Sequence, residues 1–376
     1  MRVLVTSCPG YGHLYPLIPL SWALSNAGHD VLLALPDQFT QVAAATGLPA
    51  TAVGPVSIRE VFEKANHALY SGNVTEALIE HVTEHYAKIA HFTVANVIAL
   101  AERWRPNAVM HTPWEYAGPI AAARLGVPLV RHTWGVALPP ELAPAEAETL
   151  APVHREHGYP RDPAFEVDVC PSALQYPDAR AGVPMAYTAY NGSGVLPSWL
   201  FEPRTRPRIC VTLGSVPVPG GEHDRVLRTV LAGLATIGAE VLVITGGGAL
   251  DPGTLPANAR VVDWLPLNQV LRVCDAVVHH GGSGTTMTSL HAGLPQLALP
   301  QMCDQHRHAD RAEAVGAAAK LIGDDITAES VRDHAAWLLE DPAPRVAAEK
   351  IRDEMRAMPP PAAVVSSLIA LVEAQQ

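Results

Sequence analysis

The sequence predicts an α/β protein made of two similar halves, each a parallel sheet covered by helices on both faces. Three observations predict it. Short continuous apolar runs of strand type alternate with helical segments, as in strands buried on both faces. The pattern then restarts: RICVTL at 208–213 echoes RVLVT at 2–6, each opening a strand-then-helix series. The length, 376 residues, suits two ordinary domains.

The elements follow in order. Residues 3–6 form a strand and 14–27 a helix stopped by Gly28. Pro16 is tolerable in a first turn, where its missing N–H has no partner to lose, whereas Pro19 is a kink candidate. Residues 31–35 form the next strand and 38–46 a helix ending at Gly47. A polar connection, 54–73, leads to a long helix or broken pair over 75–104. A strand at 108–110, a helix at 116–125 and a strand at 127–130 continue the series. Residues 132–166 carry many Pro, Glu and His with little periodicity, and read as loops and short helices beside a cleft.

Asn, Gly, Ser and Pro clusters at 187–206 mark a linker. Beyond it, strands are expected at 208–213, 240–245, 260–262, 276–279 and 296–299. Helices are expected at 224–237, 267–273, 285–292 and 305–315. From 328 the chain is mostly helical, interrupted at Pro342 and at 359–361. The expected division is 1–186, linker 187–206, 207–358 and a closing helical segment 359–376.

Composition narrows the function. Hydrophobic residues make up 48% and charged residues 17%, which supplies cores and argues against disorder. A net charge of −11 excludes a general nucleic-acid footprint, while an anionic small ligand can still be held by helix N-termini. Cys8, Cys170, Cys210, Cys274 and Cys303 are scattered and odd in number, which argues against a disulfide framework or zinc knuckle. The first apolar run is too short for a signal-peptide core, and no uncharged apolar stretch is long enough to span a bilayer. A cytoplasmic protein with no transmembrane segment is expected.

Five segments carry chemistry. The first is HHGGSGTT at 279–286, after a strand and opening a helix. Its glycines let the backbone approach a ligand, and the helix start aims N–H groups and positive dipole at it. A diphosphate fits there, with Ser283 and Thr285 as extra donors; a glycine turn capped by Thr285 is the other reading. It matches neither G-x-x-x-x-G-K-[ST] nor G-x-G-x-x-G, which removes support for ATPase and dinucleotide readings. The second is PQMCDQ at 300–305, past a strand end where ligands of open α/β sheets bind. Asp304 and Gln305 can bond sugar hydroxyls, or Asp304 can cap a helix. Cys303, His306 and His308 also suggest a metal trio, disfavoured because His306 and His308 point apart on a helix.

The third segment, VTLGS at 211–215, places Gly214 and Ser215 at a strand end, facing a diphosphate or simply turning. In the fourth, VDWLP at 262–266, Trp264 can stack on a nucleobase or pack in a core. The fifth, PGYGHLYP at 9–16, loosens a loop with Gly10 and Gly12 and sets His13 at a helix start. The helix dipole disfavours protonated His13, which suits a general base; a capping or packing histidine is the plainer reading.

Together these segments resemble one family. The sequence is similar to GT-B-fold glycosyltransferases that decorate antibiotics and other bacterial natural products. PGYGHLYPL at 9–17, VTLGS at 211–215, DWLP at 263–266, HHGGSGT at 279–285 and PQMCDQ at 300–305 carry the resemblance, which extends over the linker YNGSGVLPSWL at 190–200 and nearly the whole chain. It implies two Rossmann-like domains facing across a cleft, the N-terminal one (1–186) for the acceptor and the C-terminal one (207–358) for the nucleotide sugar. A helix around 362–374 crosses back to the first.

By the same resemblance, His280 and the amides of Gly282, Ser283, Gly284 and Thr285 contact the diphosphate, with Gly214 and Ser215 beside it. Trp264 and Leu265 border the base, and Asp304 and Gln305 hold the sugar. His13 matches the catalytic base of an inverting displacement that needs no metal and no cofactor beyond the nucleotide diphosphate sugar, a dTDP-linked deoxysugar. Asp324–Asp325 then reads as a polar turn. The acceptor is a small hydrophobic aglycone such as a polyketide, bordered by Tyr11, His111, Trp114 and Trp134, with Tyr70, Tyr86 and Phe92 as further aromatics of that half. Related enzymes are often homodimers.

One departure stands out. The family often orients the base with an acid, yet Asn107 occupies the place where an Asp is expected. Glu115, His111 and Thr112 are the options for His13's partner, with Glu115 the acidic one. Two other readings fit less well: a silent transferase-like activator, which has no need of His13, Asp304 and Gln305 together, and a nucleotide-sugar epimerase, which has no need of acceptor regions such as 54–75 and 132–166. Carbon–carbon glycosidic bonds also occur in the family.

Overall fold

The computed structural model describes residues 1–56, 74–215, 222–246, 255–301 and 304–374. The first half runs β1 (Arg2–Thr6), α1 (Tyr11–Asn26), β2 (Asp30–Leu35), α2 (Thr40–Ala44), β3 (Ala50–Ala52), α3 (Val74–Trp104), β4 (Ala108–His111), α4 (Ala117–Leu125), β5 (Leu129–His132), α5 (Leu142–Thr149), α6 (Ala151–His157), β6 (Phe165–Asp168) and β7 (Val183–Pro184). The second runs β8 (Arg208–Thr212), α7 (Glu222–Leu234), β9 (Glu240–Ile244), β10 (Ala259–Val262), α8 (Leu267–Val270), β11 (Ala276–His279), α9 (Ser283–Ala292), β12 (Gln296–Ala298), α10 (Gln305–Ala314) and β13 (Ala318–Lys320). Three helices follow: α11 (Ala328–Glu340), α12 (Pro342–Ala357) and α13 (Pro361–Glu373).

Two parallel sheets result, in the orders β3-β2-β1-β4-β5-β6-β7 and β10-β9-β8-β11-β12-β13. In each, the first strand has neighbours leading in opposite directions: β1 lies between β2 and β4, and β8 between β9 and β11. Connections leaving the carboxyl ends of such a strand and its switch neighbour diverge and open a crevice. The candidate site occupies both crevices.

Helix α1 opens three residues earlier than expected, so Pro16 falls inside it, not in its first turn, and Pro19 lies inside too. The helix continues through both, with Leu14, Leu17, Ile18, Leu20 and Leu24 buried. Burying five such side chains, at about 2 kcal/mol each, outweighs two interior prolines at about 3 kcal/mol each. Val364, Val365 and Leu368 of α13 join the same core and the helix packs on α1, so the helix at 361–373 crosses back to the first half.

The helix expected over 75–104 is one element, α3, whereas residues 57–73 of the polar connection lie outside the described residues. The strands at β3, β6, β7 and β13 were not expected. Each is two to four residues long with no continuous apolar run to announce it. Among the described residues, no single helix is long and apolar enough to cross a membrane.

Candidate active site

A cavity of about 260 Å³ opens between the carboxyl ends of the two sheets. The first half contributes Tyr11, His13, Trp114 and Trp134; the second contributes Gly214, Ser215, Trp264, Leu265, His280, Gly282, Ser283, Gly284, Thr285, Asp304 and Gln305. These expected residues therefore share one space although they come from distant parts of the sequence. His111 and Glu115 do not: they line a second cavity of about 330 Å³, whose wall against the first includes Trp114 and Trp134.

His13 sits in the first turn of α1, only 9% exposed. Its Nδ1 lies 3.2 Å from the Thr112 hydroxyl, just past β4, and its Nε2 lies 3.0 Å from the Tyr86 hydroxyl on α3. Trp134 meets the ring edge-on, with centroids 4.8 Å apart. Burial pushes the His13 pKa down to about 3, so the imidazole is neutral near pH 7. With its proton on Nδ1, donated to Thr112, His13 accepts at Nε2 from the Tyr86 hydroxyl.

Glu115 is not the group that orients His13. Its Oε2 accepts from the Thr6 hydroxyl at 2.5 Å, its Oε1 from the Ala117 amide at 2.9 Å, and the Gly118 amide reaches both oxygens. The carboxylate thus satisfies the start of α4, where helix donors lack internal partners. Burial raises its pKa to about 7 against these hydrogen bonds. His111 is likewise turned away, its Nδ1 bonded to the Glu115 carbonyl at 3.0 Å. Of the three options, Thr112 takes the place. Thr112→Val is expected to lower kcat about tenfold through one lost hydrogen bond, with little change in melting temperature. Glu115→Ala is expected to lower the melting temperature by about 5 °C and to leave turnover per folded molecule within about twofold. Thermal unfolding measured alongside turnover distinguishes the two residues.

Across the cleft, β11 ends at His279 and Gly281, at φ +80°, turns the chain into α9. Gly282 occupies the N-cap position with no side-chain capping bond, and Thr285 lies within the helix, so it is not the cap. The first backbone donors of α9 are thereby left for a ligand. The His280 ring fills the space between Gly214 and Gly282: a Cβ at either would come 2.8 or 2.3 Å from a ring atom. Burial, then the neighbouring His279 and His223, holds the His280 pKa down to about 3. Asp304 stands at the N-cap of α10 but makes no side-chain capping bond, and it lines the cavity. Burial raises its pKa, opposed by His308 and Arg307. The Gln305 side-chain carbonyl accepts from the Gln301 amide at 2.9 Å. Trp264 packs on Tyr11 from the opposite half, with centroids 5.0 Å apart.

Of the suggested metal trio, Cys303 lies outside the described residues, and His308 spends Nδ1 on the Asp304 carbonyl at 2.9 Å. No group of three or more potential metal ligands occurs among the described residues. Asp324 and Asp325 lie in a short turn at 323–325.

Sequence reasoning missed Tyr187 and Asn191, read only as linker. The Tyr187 hydroxyl lies 3.1 Å from that of Thr288 on α9, while Asn191 bonds both Thr288 and the Asn268 amide. A polar pair beside aromatic residues in the linker was the available signal.

Burial of histidines gives the fold a pH dependence. The pKa values of His13, His111 and His280 are pushed down to about 3, and those of His132 and His279 to about 4, in every case chiefly by burial. Unfolded histidines gain protons below about 6.5, whereas these stay neutral in the folded state. The unfolded state then binds more protons, and stability falls by about 1.4 kcal/mol per pH unit for each histidine. Glu115 acts in the opposite sense between its ordinary 4.5 and about 7, as do Glu146, Asp168 and Asp304, raised by burial, but His154, His223, His291, His306 and His308, lowered by burial, add to the five histidines. A melting temperature about 5–10 °C lower at pH 5 than at pH 7 is expected by calorimetry.

Known proteins resemble the chain in sequence and in fold. Family profiles described as Erythromycin biosynthesis protein CIII-like match in two parts, the N-terminal domain over residues 22–214 and the C-terminal domain over residues 228–371. The chain is 37% identical over 381 residues to the L-demethylnoviosyl transferase of Streptomyces niveus, covering 98% of each. It superposes on the Streptomyces sp. SF2575 glycosyltransferase SsfS6, complexed with thymidine diphosphate, with a TM-score of 0.84 and 31% identity over 98% of this chain and 99% of that one. The spinosyn rhamnosyltransferase SpnG, complexed with spinosyn aglycone, gives a TM-score of 0.84 and 34% identity over 98% of this chain and 100% of that one.

Proposed function

Because the chain belongs to the Erythromycin biosynthesis protein CIII-like family of bacterial natural-product glycosyltransferases, we propose that it transfers a deoxysugar from a thymidine diphosphate donor to a hydroxyl of a hydrophobic, polyketide-like aglycone, with inversion and without a metal. The observation carrying this reading is that a neutral His13 and the uncapped start of α9 line one cavity from opposite halves. In a single displacement the acceptor oxygen bonds to the anomeric carbon as that carbon's bond to the diphosphate oxygen breaks. The acceptor proton passes to His13 Nε2, and the nucleoside diphosphate departs toward the α9 amides. In this reading Gly214, Ser215, His280 and the 282–285 loop hold the diphosphate, Trp264 and Leu265 the base, and Asp304 and Gln305 the sugar. Tyr11, Trp114 and Trp134 border the acceptor.

Titration of thymidine and uridine diphosphates by calorimetry in EDTA tests the donor assignment. Micromolar binding of thymidine diphosphate, weakened at least tenfold in His280→Ala, is expected. Binding that EDTA abolishes would sink the metal-free mechanism, and failure of either nucleotide to bind would sink the donor site.

A further inference from the structure

Ser283 is the first residue of α9, and its hydroxyl is already in use. It donates to the main-chain carbonyl of Trp134, in the opposite half, at 2.5 Å. Two contacts reinforce this clasp. Arg307 Nε donates to the Ala137 carbonyl at 3.0 Å. Gly135 lies so close that a Cβ there would stand 2.7 Å from His308 Nε2 and 3.0 Å from the Ser283 hydroxyl. Residues 134–137, which carry the indole packed edge-on against His13, are therefore held by hydrogen bonds from two residues of the donor half and lie close against a third, His308.

A serine hydroxyl has one proton to donate, and the oxygens of a diphosphate near neutral pH are acceptors. Ser283 can serve the Trp134 carbonyl or a diphosphate oxygen, but not both. Space makes the choice consequential. The cleft cavity, about 260 Å³, is smaller than the 300–1,000 Å³ or so typical of a pocket for one drug-sized ligand, yet it must receive two substrates. The second cavity, about 330 Å³, lies behind Trp114 and Trp134.

We propose that Ser283 is a positioning residue that exchanges the Trp134 carbonyl for a donor diphosphate oxygen, so that loading the donor releases the Trp134–Ala137 wall and joins the two cavities into the acceptor's space. This rests on the donor site proposed above. The donor then binds first, and acceptor affinity rises when it has bound.

Hydrogen exchange of peptides spanning 133–138, with and without saturating thymidine diphosphate, tests the proposal. The amides of Thr133 and Ala137 are hydrogen-bonded, so protection there is measurable. In the wild type the nucleotide is expected to speed exchange at least fivefold. In Ser283→Ala exchange is fast from the start and the nucleotide adds nothing. Gly135→Ala wedges the wall from Ser283 and His308, and is expected to tighten thymidine diphosphate binding about three- to tenfold. If that variant fails to fold, wild type and Ser283→Ala decide alone. Nucleotide binding with unchanged or slowed exchange in the wild type overturns this inference and leaves the donor site standing. Absence of nucleotide binding by the wild type overturns both.

Discussion

His13→Ala is expected to lower kcat about 10³-fold while changing thymidine diphosphate affinity by less than about twofold, as general-base loss costs roughly 10²- to 10⁴-fold. The size follows from the environment of the ring. His13 is enclosed by Tyr86, Trp114 and Trp134, so few other proton acceptors reach the place where an acceptor hydroxyl would stand. Its burial keeps the lone pair unprotonated at working pH. The affinity is spared because the groups facing a diphosphate lie on the other sheet. Calorimetry beside initial rates separates the two quantities. Activity within tenfold of wild type would transfer the proton-accepting role elsewhere, and a parallel loss of nucleotide affinity would show a damaged fold instead.

Two glycines of one loop are expected to behave oppositely when each becomes alanine. At Gly282 the new Cβ meets His280 Nε2 at 2.3 Å, forcing the ring from its seat against Gly214, so stability and nucleotide affinity both fall. At Gly284 the Cβ meets no protein atom within 4 Å, and the residue lies inside α9 while lining the cavity. Alanine there favours the helix by up to about 1 kcal/mol, so the melting temperature holds or rises by about 1 °C. Thymidine diphosphate affinity is nonetheless expected to fall at least tenfold, because the methyl enters the space assigned to the diphosphate. Thermal unfolding and calorimetry on both variants check the pair. Unchanged affinity in Gly284→Ala would move the diphosphate away from this loop.

The fold was legible wherever apolar runs were continuous. VLVT at 3–6 and AVVH at 276–279 announce buried strands, and Pro342 and Pro359–Pro361 mark the breaks between helices. FEVD at β6 and AAK at β13 carry no such run; their pairing comes from neighbouring strands, which sequence pattern does not reveal. The start of α1 was misplaced because Gly10-Tyr11-Gly12 has loop composition, and only burial of the following residues brings it into the helix. Within the site, motifs announced residues that line the cleft, such as Gly282 to Thr285. Partner choice was less visible. Glu115 has the charge expected beside a histidine, but helix amides two and three residues away claim it first. Thr112, uncharged, reaches His13 through the pairing of β1 with β4.

The return of α13 to the first core has a consequence for biosynthesis. On the ribosome, the half containing β1 to β7 emerges first, yet one wall of its core is encoded at 361–373. At roughly 5–20 residues per second, synthesis from residue 185 to the end of α13 at 373 takes about 10–40 s. During that interval the apolar face of α1 that α13 covers is open to chaperones. The donor half, whose sheet and helices are contiguous in sequence, can close meanwhile. The half made first is therefore the half finished last, and the active cleft forms only when the two are joined.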